Sequence, residues 1–219
     1  MKTWFLRCIR IMAKSFKRND PTIPVGKKIL IACEGKYTEP RYFYAIREDL
    51  RLNKELIKVV PHDGTDPLSI VNALVEARQD AKSERRWSSG DSAWAVMDGD
   101  EHITNNPANW YQAIQRAKSQ KINLAITNPS IEFWYLIHFQ DHFANIQRDK
   151  ATELLKQHIP AYDKSVCYYF NLLKPNTPNA IARANKLTNL SKGNNLSEYS
   201  NPCCSGISRL VQSLFSLGN

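Results

Sequence analysis

The stretch KKILIACEGKYTE, from Lys27 to Glu39, decides the fold of this chain. Its apolar run KILIAC, residues 28–33, is rich in branched side chains, which is typical of a strand covered on both faces. Glu34 and Gly35 end that run abruptly, and from Glu39 to about Asn53 the apolar residues recur at helical spacing. The stretch therefore predicts a strand, a loop and a helix, with a carboxylate where the buried strand passes into the loop.

Strand-like and helix-like segments alternate further along the chain. The strand-like runs are LIKVV at 56–60, SAWAVMD at 92–98 and INLAIT from Ile122, and the helix-like runs begin at Asp66, Asn106 and Asn128. Asp66 and Asn128 are predicted N-caps, because each precedes a proline that suits the first helical turn. This alternation predicts βαβ units and an α/β fold, with an open parallel sheet of about four strands flanked by helices.

The 219 residues are enough for one substantial core with an appendage. Residues 26–140 are predicted to form the α/β core, and residues 141–219 a mainly helical C-terminal part packed on it. Residues 1–25 are a basic N-terminal extension, for which disorder and a start of translation at Met12 are both open.

Composition narrows the class of protein and of partner. Thirty Lys and Arg residues against twenty-one Asp and Glu leave a formal charge of +9, which favours a polyanionic partner such as DNA or RNA. The five cysteines include no C-x-x-C pair, so no disulfide framework or zinc ribbon is predicted and a reducing cytoplasm fits best. No run approaches the roughly 18 uncharged apolar residues of a membrane span. Arg7 and Arg10 interrupt the apolar N-terminal residues, so no signal peptide is predicted.

Acidic side chains follow two of the predicted strands. Glu34 follows the first, and Asp98, Asp100 and Glu101, in the run MDGDEH, follow the third. The carboxyl ends of parallel strands lie at the edge where open α/β sheets bind ligands, and D-x-D in an extended segment turns both aspartates to one side. Carboxylates placed together repel one another unless a cation is present, and their oxygens suit Mg²⁺ or Mn²⁺. Acids at strand ends also cap helices and form turns, but the coincidence with Glu34 favours a metal site.

Four stretches in one order resemble a known family. They are ILIACEGKYTEPRYF, WAVMDGDEH, INLAITNPSIEFWYLIHF and NPCCSGISRLV, within about 26–216. Together they resemble the RloB family of bacterial phage-defence and abortive-infection proteins, which is similar in turn to the Toprim fold of topoisomerases, bacterial primases and overcoming-lysogenisation-defect nucleases. The resemblance implies a Toprim-like core in which Glu34 is a general acid or base and Asp98 and Asp100 bind Mg²⁺. Lys36 and Tyr37, after Gly35, and Gly99, between the two aspartates, differ from the residues usual in the family. The three carboxylates themselves match the family pattern.

Five further side chains are candidates for the site, each with a structural alternative. Glu132 and His102 are catalytic candidates, although Glu132 also suits the first turn of a helix and His102 an exposed loop. Thr38, Arg41 and Asn128 are candidates for binding substrate. Thr38 also suits a helix start, Arg41 lies among aromatic residues whose spacing fits a core face, and Asn128 suits a helix cap.

Two classes of function remain open. The first is a nuclease or related phosphoryl-transfer enzyme that depends on Mg²⁺ or Mn²⁺ and acts on nucleic acid in phage defence. The second is a non-catalytic module that binds or senses nucleic acid or a nucleotide in a defence complex, with ATPase or restriction-system proteins as partners. A purely structural role is a weaker third. His138 and His142 have the spacing of a helical metal pair, but core packing is favoured for His138.

Overall fold

A four-stranded, all-parallel sheet forms the centre of the computed structural model, which describes residues 26–64, 66–166 and 169–218. The strands are β1 (Ile29–Cys33), β2 (Ile57–Val59), β3 (Ser92–Asp98) and β4 (Asn123–Thr127), in the order β2-β1-β3-β4. The predicted α/β fold with a helix-flanked parallel sheet is confirmed. The predicted N-terminal extension, residues 1–25, lies outside the described residues.

Helices connect and cover these strands. In the described part of the chain they are α1 (Thr38–Asp49), α2 (Pro67–Ser83), α3 (Asp100–Asn105), α4 (Pro107–Gln120), α5 (Ile131–Leu136), α6 (Arg148–His158), α7 (Phe170–Leu173), α8 (Thr177–Gly193) and α9 (Ser205–Phe215), with a 3₁₀ turn at Lys174–Asn176. The predicted cap of α2 is confirmed, because Asp66 accepts a hydrogen bond from the Ser69 amide at 3.1 Å and Pro67 begins the helix. None of the helices in the described ranges is long and apolar enough to cross a membrane.

Both faces of the sheet are buried, as the continuous apolar run of β1 predicts. Ile29 and Ile31 of β1 pack into one apolar cluster with α1, α5 and the C-terminal helices, whereas Leu30 and Ala32 pack into a second cluster with α2 and α4. Alternate side chains of β1 are therefore buried in two different apolar cores, one on each face of the sheet. The C-terminal helices bury apolar side chains in the first of these clusters, and α9 packs directly on β4, while the predicted boundary at residue 140 stays a prediction.

Helix α9 lies directly against β4. Gly206, in its first turn, faces the strand so closely that a Cβ there would lie 2.6 Å from the Leu124 carbonyl oxygen and 2.7 Å from the Ile126 amide nitrogen. Only glycine allows backbone to approach backbone this closely. The small residue therefore sets the distance between the C-terminal part and the carboxyl half of β4.

Two local predictions are wrong. The helix expected from Asn128 begins at Ile131, because the backbone of Asn128 forms a bridge to Cys203 instead of starting a helix. The D-x-D segment is not extended throughout, because Asp98 ends β3 whereas Asp100 begins α3. The first difference comes from pairing with a distant segment of the chain, and the second from a helix that starts at Asp100. Neither could be predicted from the neighbouring residues in the sequence.

Candidate active site

Glu34 and Asp98 meet at the carboxyl edge of the sheet because β1 and β3 are neighbours. The strands pair in register from Ile29 opposite Ser92 to Cys33 opposite Val96. The Glu34 carboxylate then reaches across and accepts a hydrogen bond from the Asp98 amide, 3.0 Å from Oε2. The predicted convergence of these two residues is confirmed.

Asp98 is held in a buried and electrostatically unfavourable place. Its side chain accepts a hydrogen bond from Thr127 Oγ1 of β4 at 2.8 Å, and the residue is only 7% exposed. Burial, followed by the negative charges of Glu39 and Glu34, raises the pKa of Asp98 well above its ordinary value, and the positive charge of Arg148 offsets only part of this rise. Additional positive charge at this place would therefore stabilise the ionised form of Asp98.

Arg148, the first residue of α6, joins the two aspartates. Its Nε donates to Asp100 Oδ2 at 2.8 Å and its Nη2 to Asp100 Oδ1 at 2.6 Å, the paired geometry typical of an arginine–carboxylate contact. The same Nη2 lies 3.3 Å from Asp98 Oδ2. One guanidinium thus bridges the predicted metal ligands. Across residues 26–64, 66–166 and 169–218, no group of three His, Cys, Asp or Glu residues is arranged to hold a metal ion.

His102, on α3, lies beside Glu34. Its Nε2 is 3.1 Å from Glu34 Oε1, which is ion-pair distance, but the N–H direction is not aligned for a hydrogen bond to that oxygen. The pair therefore interacts through charge when the imidazole is protonated. The structure brings together the catalytic candidates Glu34 and His102, and their catalytic roles stay predictions.

Glu132, in the first turn of α5, is almost completely buried, with 1% exposure. Ser130 Oγ donates to its Oε2 at 2.6 Å, Tyr162 Oη donates to its Oε1 at 2.9 Å, and Lys164 Nζ lies 3.1 Å from Oε1. Burial raises the pKa of Glu132, but the Ser130 hydrogen bond and the Lys164 charge outweigh burial and lower it overall. Glu132 is therefore suited to act as a fixed anion.

Glu39 is a site residue that the sequence did not reveal. It lies in the first turn of α1, is 4% exposed, and accepts a backbone hydrogen bond from Gly35, where a Cβ would collide with the carboxylate. Burial raises the pKa of Glu39 to about 7, and the nearby charges of Glu132 and Glu34 add to this rise. From the sequence, Glu39 was interpreted as an ordinary helix start, and only Gly35, four residues before it, hinted at crowding there.

The three predicted substrate-binding residues make structural contacts. Thr38 Oγ1 donates to the Lys164 carbonyl at 3.3 Å, and Arg41 donates to the Ser165 carbonyl. Asn128 Nδ2 donates to the Tyr199 carbonyl at 2.8 Å. Thr38 and Arg41 thus attach the segment that carries Lys164 to α1, and their binding of substrate stays a prediction.

His138 packs in the core, as its favoured interpretation holds. It is fully buried, and its Nδ1 lies 2.8 Å from the Trp134 carbonyl oxygen. Burial lowers the pKa of His138 to about 4, so the imidazole is neutral at physiological pH.

Comparison with known proteins assigns the family. A family model described as RloB-like protein matches residues 29–214. The chain belongs to the RloB-like family. No curated protein and no solved structure matches this chain. The matched range of this RloB-like chain contains all the carboxylates described above.

We expect Glu39 to make the stability of this RloB-like chain depend on pH. A carboxyl whose pKa rises on folding from 4.5 to about 7 stabilises the folded state below the lower value, and this contribution is lost as pH rises through the higher one. In EDTA, ionisation of Glu39 should lower the unfolding free energy of the wild type by about 3 kcal/mol between about pH 5 and pH 8. Glu39→Gln should lack this part of the decrease. Urea denaturation at both pH values measures this difference.

The exposed Glu48, on the same helix, provides the matched control. Glu48→Gln should leave the pH dependence of the wild type unchanged. A Glu39→Gln protein that loses as much stability as the wild type would contradict the burial argument. Asp98, Glu34 and Glu132 also face this region, and the charge of Glu39 raises the pKa of Asp98, so the difference between the two variants measures Glu39 together with its coupling to these acids.

Proposed function

We propose that this RloB-like chain is a divalent-metal-dependent phosphodiesterase that acts on nucleic acid. The observation that carries the proposal is the contact of Glu34 with Asp98 across β1 and β3, with Asp100 joined to Asp98 through Arg148. Acids at the carboxyl edge of a parallel sheet occupy the place where open α/β folds bind ligands. The net charge of +9 supports a polyanionic substrate.

The chemistry of the donor atoms suits a hard divalent cation, but Asp98 and Asp100 would have to exchange Arg148 for the ion, because no three acids among the described residues are arranged to hold a metal. Asp98, Asp100 and Glu34 offer carboxylate oxygens, and the raised pKa of Asp98 reflects its burial first and then the negative charges of Glu39 and Glu34, which a cation would offset. These are the residues that would hold Mg²⁺ or Mn²⁺. Such an ion, when bound, supplies Lewis-acid stabilisation of negative charge on a phosphoryl oxygen.

The protein's own groups then have distinct parts to play. Glu34, beside His102, lies where it can take a proton from an attacking water or give one to a leaving oxygen. Lys164, with its side chain half exposed, and Arg148 place positive charge beside the acids and can hold a phosphate. Glu132 orients Lys164 and remains an anion.

The finer assignment follows the resemblance described above. We propose a Toprim-like core, a cytoplasmic location and a role in phage defence by abortive infection, with an ATPase or restriction-system protein as a partner class. What supports the core assignment is the order of the acidic positions along the chain, with one glutamate after β1 and two aspartates after β3.

The proposal is tested by incubating the full chain with end-labelled single-stranded, duplex and hairpin DNA and RNA. Each substrate is offered Mg²⁺, Mn²⁺ or EDTA, and products are separated on a denaturing gel. We expect cleavage with a divalent ion and none with EDTA. Absence of cleavage of every substrate, or equal cleavage in EDTA, would overturn the assignment as a metal-dependent nuclease.

A second candidate function is favoured by the position of Arg148. Because its guanidinium already contacts Asp98 and Asp100, the acids are partly neutralised by the protein itself. A module that binds or senses nucleic acid or a nucleotide without cleaving it would suit such an arrangement. It would show nucleic-acid affinity that falls steeply with salt, but no turnover.

Arg148 should compete with a divalent ion for the two aspartates. Removing the guanidinium with Arg148→Gln should therefore tighten Mn²⁺ binding about tenfold or more, because each 1.4 kcal/mol of relieved competition is a factor of ten. Calorimetric titration with Mn²⁺ measures this. Arg116→Gln is the control, because Arg116 lies on α4 and contacts Asn72 instead. Equal or weaker binding by Arg148→Gln would show that the arginine does not occupy the ion's place.

A further inference from the structure

A cleft of about 350 Å³ opens beside Glu34, between the loops that follow β1 and β2. Its volume lies in the range of small-molecule sites. It lies over the β1–β2 side of the carboxyl edge, whereas Asp98 and Asp100 lie on the β3 side. The side chains that the argument uses are Glu34, Lys36, Pro40, Tyr44, His62 and Asp63.

His62 has a fixed tautomer and one unused nitrogen. Its Nε2 lies 2.7 Å from the Cys33 carbonyl oxygen, and because that oxygen can only accept, Nε2 carries a proton. Among the described residues, Nδ1 of His62 is buried and has no hydrogen-bond partner. An unpaired buried polar atom costs on the order of 1–3 kcal/mol. In the neutral imidazole this nitrogen is an acceptor, and a ligand with an N–H or O–H donor would relieve that cost if it displaced the atoms that now cover the nitrogen.

The walls of the cleft suit a base and sugar better than a lone phosphate. With the imidazole of His62 neutral, the charge of Lys36 is opposed by two carboxylates, Glu34 and Asp63, so the cleft has no excess positive charge. The apolar part comes from prolines, valines and the ring of Tyr44. Arg47 lies 4.7 Å from the centre of that ring, on one of its faces. Bases of single-stranded nucleic acid commonly stack on aromatic side chains, and arginine adds cation–π contacts.

We propose that this cleft is a base-binding subsite for the nucleotide next to the phosphate that Arg148 and Lys164 are proposed to hold. The inference rests on the proposed function and names its substrate class, which is single-stranded nucleic acid or an unpaired nucleotide. A base inside a duplex is stacked between its neighbours and cannot enter a cleft without leaving the helix. Lys36, exposed at the rim, is placed to contact the sugar–phosphate backbone that leads toward Glu34.

Binding of a fluorescent single-stranded oligonucleotide in EDTA tests the subsite without requiring catalysis. Tyr44→Ala and His62→Ala should each weaken binding about tenfold, since loss of one stacked base costs about 1–3 kcal/mol. Controls are Tyr111→Ala and His158→Ala, two exposed positions outside the cleft. A duplex of the same sequence should bind more weakly, and a nucleoside monophosphate should compete whereas inorganic phosphate should not.

The outcomes separate this proposal from the nuclease assignment. Weakened binding by Tyr44→Ala, in a chain that cleaves nothing, would support the subsite and overturn only the nuclease. Cleavage by the wild type with unchanged Kd and KM in both cleft variants would overturn the subsite and leave the nuclease intact. Absence of any oligonucleotide binding by the wild type, or equal affinity for duplex and single strand, would also overturn the subsite. Circular dichroism of each variant verifies folding, and Tyr44, which is only half-buried, keeps the test valid if His62→Ala fails to fold.

Discussion

Asp98→Asn is expected to reduce divalent-dependent cleavage about a thousandfold or more. The substitution removes the negative charge that the proposed ion would neutralise, while the shape of the side chain is kept. Loss of a single group that stabilises charge in the transition state commonly costs a factor of about 10²–10³, and a metal ligand is expected at or above the upper end. Single-turnover cleavage of the best substrate, at saturating Mg²⁺, measures the effect.

The same variant should fold at least as well as the wild type. Burial raises the pKa of Asp98, so ionisation of its carboxyl opposes folding. The protonated carboxyl stabilises the folded state at low pH, and this contribution is lost as pH rises. Asparagine is neutral, and its amide oxygen can still accept the Thr127 hydroxyl hydrogen bond. Urea denaturation at about pH 8 in EDTA should therefore show an unfolding free energy equal to or above that of the wild type.

Asp80→Asn, at an exposed position on α2, controls for loss of a surface charge and should retain full cleavage. Unchanged cleavage by Asp98→Asn would overturn the site assignment. A large drop in its stability would instead show that the carboxylate is structural. The combination of lost activity and retained stability is the signature of a residue whose charge serves function at the expense of folding.

Gly206→Ala is expected to lower the free energy of unfolding by about 3 kcal/mol or more. The added Cβ would lie 2.6–2.8 Å from three backbone atoms of β4, at Leu124, Ala125 and Ile126. The backbone of β4, which is hydrogen-bonded to β3, cannot give way as a flexible side chain can, so α9 must move from the sheet. The buried residues of α9, including Ile207 and Leu210, would lose packing with it.

Gly193→Ala is the matched control for this substitution. Gly193 is the last residue of α8, and nothing lies within 4 Å of the place where its Cβ would be. Alanine there should change stability by less than about 1 kcal/mol, because only helix propensity is affected. Chemical denaturation compares the two variants, and equal stability of both would refute the close approach of α9 to β4.

Movement of α9 would also disturb the candidate active site around Asp98. Thr127, at the end of β4, donates the hydrogen bond that holds Asp98 Oδ1. The backbone of the next residue, Asn128, pairs with Cys203, just before α9 begins. The C-terminal part and the acidic edge are thus connected through the end of one strand.

The main parts of the candidate site were predictable because they depend on local patterns. A buried strand shows as an apolar run, and a carboxylate that ends such a run must lie at the carboxyl edge of a parallel sheet. Glu34 and Asp98 followed from that rule, and their proximity needed only β1 and β3 to be neighbours. The early helix start at Asp100 and the bridge of Asn128 to Cys203 did not follow, because each depends on contacts with other parts of the chain.

Local sequence patterns predict a parallel α/β sheet, its helices and the edge at which its acids lie, because hydrophobic periodicity and capping residues act over a few neighbouring positions. The charge balance of that edge depends on how distant elements pack. Arg148 reaches Asp98 and Asp100 from a helix some fifty positions away, and burial places Glu39 among the other acids. Burial and long-range ion pairs depend on how separate elements pack. The stretch KKILIACEGKYTE therefore predicts where Glu34 lies, but it contains no sign of Arg148, which contacts Asp98 and Asp100 beside that glutamate.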